Sequence, residues 1–133
     1  MPYALNPKFI DHIVLMVKNV YKSEVFYSKF LGKPISKDKY SIAYKIGGTK
    51  LFFAIPFKHI KSNTFNRNRL GLNHIAFGVS SLKTLKNIEN RLNKAKIKNS
   101  GIILDKYKQR EYIWLDDPDG IRQEFYLRYP KEK

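Results

Sequence analysis

The 133-residue chain contains no cysteine. That absence excludes disulfides, zinc-thiolate centres and cysteine nucleophiles, and it leaves His, Asp, Glu and backbone oxygen as the available metal ligands. Long apolar runs are also missing: nothing approaches the roughly 18 residues that a membrane-spanning helix needs. The opening stretch MPYALNPKF has neither the basic start nor the apolar core of a signal peptide, so a cytoplasmic protein without a membrane partner is expected. Acidic residues are scarce, 11 against 26 Lys and Arg, which gives a net charge of +15. Such a balance suits nucleic acid, an acidic membrane surface or an anionic small molecule. The lysines, however, are scattered through alternating and helical patterns, and only FKHIKSNTFNRNR (57–69) forms a basic segment without periodicity. This distribution reads as a solvated surface, and no specific nucleic-acid partner is expected. With three histidines and one tryptophan, few residues can carry chemistry.

What is present is a repeat. DHIVLMV (11–17) and NHIAFGV (73–79) match at His, Ile and Val. A helix is expected after each: 19–31 behind Asn19 as N-cap, and 81–95 behind Ser80 or Ser81. In the second helix Leu82, Leu85, Ile88, Leu92 and Ala95 form one apolar stripe opposite lysines and asparagines. Strand-like stretches follow each helix, YSIAYKI and TKLFFAI in the first half, GIILDKY, REYIWLD and IRQEFYL in the second. Both halves therefore read β-α-β-β-β, with one strand weak in the first. The length suits one domain over 1–133, built of module one at about 8–57, the basic loop at 57–70 and module two at about 71–129. DDPDG (116–120) is a turn in which Pro118 presets φ and Gly120 accepts a left-handed conformation, and Gly47-Gly48 serves the first half. Aligning the hairpins on Gly48 and Gly120 sets Phe52 and Glu124 at equivalent places.

Strand alternation then separates the faces. In LNHIAFGV (72–79), read as one strand, Ile75, Phe77 and Val79 suit the core, while His74 shares its side with Ala76 and Gly78. His12 lies with Val14 and Met16; Glu124 lies with Arg122 and Tyr126; Tyr112 and Trp114 point away from Ile113 and Leu115. Two histidines at matching places of a repeat and one carboxylate, all off the core side, make a candidate 2-His-1-carboxylate set for one divalent ion. His59 has no repeat partner and is left out.

The stretches IDHIVLMVKNVYKSEVFYSKFLG, GLNHIAFGV and YIWLDDPDGIRQEFYL together resemble the vicinal oxygen chelate superfamily, which includes glyoxalase I, extradiol dioxygenases, methylmalonyl-CoA epimerase, fosfomycin-resistance enzymes and bleomycin-resistance binding proteins. The resemblance implies an α+β fold of two tandem βαβββ modules, whose curved mixed sheets form a cup with helices on the outer face, commonly in a homodimer. It places the metal ligands at His12, His74 and Glu124, with Glu124 also the candidate catalytic base. The family's remaining ligand position falls on Phe52, where glyoxalase I and the epimerase have Glu or Gln, and phenylalanine can neither ligate nor move a proton. Fosfomycin enzymes have Thr where this chain has Val14 and Tyr where it has Trp114, which argues against that reaction. Bleomycin is cationic, and a chain of charge +15 would repel it. The expectation is a glyoxalase-like enzyme using one divalent ion (Mn, Fe, Ni or Zn) on a small oxygen-chelating metabolite. Val14, Phe52, Trp114 and Tyr126 would line the substrate pocket, and Arg122 or the basic loop would attract an anionic substrate. The alternatives are an extradiol-dioxygenase-like Fe(II) enzyme and a metal-free small-molecule-binding protein.

Overall fold

Each half of the chain folds as strand, helix and three further strands. In the computed structural model, which describes residues 5–129, the first half runs β1 (His12–Met16), α1 (Val20–Leu31), β2 (Ser36–Lys37), β3 (Ser41–Ile46) and β4 (Thr49–Ala54). The second runs β5 (Ile75–Val79), α2 (Leu82–Lys94), β6 (Ile103–Leu104), β7 (Glu111–Asp116) and β8 (Arg122–Leu127). The expected α+β organisation in tandem βαβββ modules is thus present. Each half makes an open four-stranded mixed sheet, in the orders β1-β4-β3-β2 and β5-β8-β7-β6. The first strand of each runs parallel to the last, and the other pairs are antiparallel. The chain divides into two compact units, one ending at Lys61 and the next beginning at Ser62.

Local chemistry sets the element ends. The Asn19 side chain accepts from the Lys22 N–H at 2.9 Å, and of the two candidate serines it is Ser81 that caps α2, its Oγ accepting from the Thr84 N–H at 3.1 Å. Helix α1 stops at Gly32, whose φ of 77° favours glycine. Along α2 the buried stripe is narrower than the spacing predicts: Leu85 and Leu92 are fully buried, whereas Leu82 and Ala95 are exposed at the helix ends. Beneath α2 lie Ile113, Leu115, Phe125 and Leu127 of β7 and β8, all buried. The first unit packs through aromatics: Tyr27 of α1 stacks on Phe53 at 4.0 Å, and Tyr44 meets Phe53 edge-on at 6.0 Å.

Two expectations shift. The strand read over 72–79 begins at Ile75, because the Asn73 side chain donates to the Arg67 carbonyl and so pins the approach as a loop. GIILDKY shrinks to Ile103–Leu104, because Asp105 closes a turn in which its side chain accepts from the Tyr107 and Gln109 N–H groups. In the first hairpin the expected Gly47-Gly48 turn is present, with Gly47 in the left-handed region (φ 57°). The second hairpin is built by Asp117, buried, whose Oδ1 accepts from both the Asp119 and Ile121 N–H groups at 2.8 Å while Gly120 holds φ at 80°.

Strand register, rather than the turns, decides whether the two modules correspond. Phe52 pairs with Val14 on one side and Ala43 on the other. Glu124 pairs with Ala76 and Trp114. Val14 is two residues past His12 and Ala76 two past His74, so Phe52 and Glu124 hold the same place in their ladders.

Candidate metal centre

In the second unit the alternation of β8 is complete: Gln123, Phe125 and Leu127 are buried, and Arg122, Glu124 and Tyr126 lie half-buried on the opposite side. Trp114, paired with Glu124, and Tyr112, paired with Tyr126, continue that side onto β7. His74 stands just before β5, and its Nε2 lies 3.5 Å from Glu124 Oε1, with the side chains 40% and 14% exposed respectively. That separation is longer than the about 2.7–3.2 Å of a good hydrogen bond. Two ligands of one ion, each about 2.1 Å from it and about 90–110° apart, would stand about 3.0–3.4 Å from one another. The donor types suit a divalent ion, and the 3.5 Å separation lies just above that span.

The imidazole of His74 has its tautomer set. Its Nδ1 is 2.7 Å from Asn73 Oδ1, and the Asn73 amide orientation is fixed because Nδ2 donates to the Arg67 carbonyl at 2.8 Å. An amide oxygen only accepts, so Nδ1 carries the proton and the lone pair of the neutral ring is on Nε2, toward Glu124.

The first unit repeats this device. His12 opens β1, its side chain is 56% exposed, and its Nδ1 lies 2.8 Å from Asp11 Oδ2. The carboxylate accepts, so Nε2 again holds the lone pair of the neutral ring. In place of the carboxylate stands Phe52, whose ring meets the imidazole edge-on with centroids 5.9 Å apart. Val14 and Met16, about half exposed, continue the apolar lining on the same side of β1. Among the described residues no group of three His, Asp or Glu side chains is gathered as a metal cage; the structure brings His74 and Glu124 together and shows His12 with Asp11 and Phe52.

The other pocket residues are more engaged than their types suggest. The Arg122 guanidinium lies 3.9 Å over the Trp114 ring, and its Nε donates to Asp116 Oδ1 at 2.7 Å. Tyr126 stacks on Tyr112 at 5.0 Å and donates its hydroxyl to Asp105 Oδ2 at 2.8 Å. Burial, with that bond to the Asp105 carboxylate, raises the phenol well above its ordinary pKa. Tyr126 therefore stays protonated and does not act as a base near neutrality. Sequence reasoning missed Asp11 and Asn73, although a signal was present, since an Asp or Asn precedes the histidine in both repeats.

Residues 9–125 match the family model of the Glyoxalase/Bleomycin resistance protein/Dioxygenase superfamily. The chain belongs to this superfamily. Among its relatives is an uncharacterised protein of Escherichia coli K12, YaeR, 24% identical over 129 residues that cover 92% of this chain and 98% of that one. A candidate glyoxalase from Bacillus halodurans has the same fold, with a TM-score of 0.81 at 22% identity, covering 92% of this chain and 98% of that one. Lactoylglutathione lyase from Agrobacterium tumefaciens superposes with a TM-score of 0.71 at 16% identity, covering 91% and 94% of the two chains. Members of the superfamily bind small-molecule substrates, often with a divalent metal and often as dimers. No helix among the described residues is long and apolar enough to cross a membrane.

Proposed function

We propose that this protein is a glyoxalase-like metalloenzyme in which His12, His74 and Glu124 hold one divalent ion (Mn, Fe, Ni or Zn) and a small metabolite chelates it through two adjacent oxygens. The observation that carries this reading is the His74–Glu124 pair: a tautomer-fixed imidazole facing a carboxylate 3.5 Å away, close to the separation of two ligands of one ion, on the side of the sheet away from the core. When bound, the ion supplies Lewis-acid stabilisation of the oxyanion that develops on the substrate. The chain's own residues do the rest. Asn73 and Asp11 hold the two rings with Nε2 presented. Glu124 is positioned to take a proton from a neighbouring carbon acid. Val14, Phe52 and Trp114 form an apolar wall that excludes water, and Tyr126, its hydroxyl tied to Asp105, stays protonated and moves no proton. The two modules act as one domain over 1–133, in a cytoplasmic homodimer.

One observation favours a second reading. Phe52 leaves three protein ligands instead of four, the donor count of extradiol-dioxygenase-like Fe(II) enzymes. Both readings require that purified protein bind one Mn, Fe, Ni or Zn ion per chain. Hemithioacetal isomerisation, catechol ring cleavage with Fe(II) and oxygen, and thiol addition to fosfomycin then separate the chemistries. A chain that takes up none of the four ions stoichiometrically is a metal-free binding protein. Replacing Asn73 by alanine removes the acceptor that fixes the His74 tautomer together with the bond to the Arg67 carbonyl that pins the loop before β5, and is expected to weaken metal binding about ten- to a hundredfold. Competition titration against a chelator measures it, and an unchanged affinity would remove Asn73 from the site.

A further inference from the structure

The two modules act as internal controls for one another, and they differ in charge beside the histidines. In the second module the place opposite His74 in the ladder, one step before the Ile75–Gln123 pair, is Arg122, and Arg122 pairs across the hairpin with Asp116. The charge there is neutralised by the 2.7 Å bond to Asp116, and the guanidinium face is covered by Trp114. In the first module the place opposite His12 is Lys50, and the residue opposite Lys50 across the hairpin is Lys45. Both lysines are exposed, and neither is paired with a carboxylate among the described residues. Asp11, whose main-chain carbonyl accepts from the Lys50 N–H, has its carboxylate on His12 Nδ1. Like charges placed directly opposite in an antiparallel pair repel, so where the second module carries an ion pair the first carries two uncompensated cations beside a histidine.

We propose that Lys45 and Lys50 form the anion-docking pair of the site, so that the substrate is a small metabolite carrying a carboxylate or phosphate in addition to the oxygens it offers the metal. This rests on the reading of His12 as a metal ligand, which sets the lysines beside the reacting end. It also assigns anion attraction to module one rather than to Arg122, whose charge is already committed. An anion bridging two ammonium groups makes charge-assisted bonds to both and relieves their repulsion.

The test uses the full chain, inorganic phosphate as the probe and low ionic strength, with calorimetric titration of metal-free protein. The double variant K45Q/K50Q is compared with K83Q/K86Q, which removes the same charge from the exposed face of α2. Phosphate affinity is expected to fall about tenfold in K45Q/K50Q and to stay at the wild-type value in K83Q/K86Q. Equal losses in both variants, or no loss in either, would overturn the proposal. Manganese stoichiometry measured on the same samples keeps the two readings apart. Intact metal binding with no phosphate difference removes only the lysine pair, whereas a phosphate difference without any metal binding leaves the lysine pair standing and removes the metal.

Discussion

Replacing Glu124 by alanine is expected to lower divalent-metal affinity by roughly a hundredfold or more, while the protein keeps its fold. The size follows from apportioning the about 10–16 kcal/mol of a four-ligand protein zinc site among its ligands, which leaves about 3 kcal/mol for each. The fold should survive because Glu124 lies on the side of β8 away from Gln123, Phe125 and Leu127, and His74 is its one described partner. Removing a half-buried carboxylate also relieves its desolvation. Calorimetric manganese titration with a thermal melt of the apo protein reads both quantities. Affinity within about threefold of wild type, where ordinary surface substitutions fall, would sink the ligand assignment. His74→Ala should reproduce the loss, and mixing His12→Ala with Glu124→Ala chains then reports whether one chain supplies the whole site. Recovery of metal binding on mixing requires modules from different chains.

Much of this arrangement is legible in the amino-acid sequence alone. The period-two alternation separated Glu124 from Phe125 and His12 from Leu15, because burial of one sheet face leaves a sharp signature in each strand. The repeat pointed to the correspondence of Phe52 and Glu124, which the ladders establish independently through Val14 and Ala76. The misses share a cause: each is a side chain bonding to nearby backbone or to a neighbour, which hydrophobic patterning does not record. Asn73 holds the approach to β5 out of the strand, Asp105 cuts β6 short, and Asp116 claims the charge of Arg122. The Gly47-Gly48 turn joins β3 to β4 as its composition indicates, and aligning the hairpins on Gly48 and Gly120 leads to the same Phe52–Glu124 correspondence as the ladders.

Phe52→Glu is expected to tighten metal binding about a hundredfold, the mirror image of the loss at Glu124. The ladder puts residue 52 in the same relation to His12 that Glu124 has to His74, and the ring now there sits 5.9 Å from the imidazole. A carboxylate at that position would recreate the His–Glu pair of the second module and, in the proposed site, add a fourth ligand. The variant exchanges a half-buried aromatic for a charge, so the apo protein should lose about 1–2 kcal/mol of stability and regain it when metal is added, because the ion binds the folded state alone. Thermal melts with and without manganese read this as a larger metal-induced rise in Tm than wild type shows. The same change should raise hemithioacetal isomerisation relative to catechol cleavage, since the added carboxylate supplies a proton acceptor on the side where phenylalanine offers none. An unchanged metal affinity would mean that position 52 does not belong to the proposed centre, and the equivalence of the modules would then be one of backbone register alone.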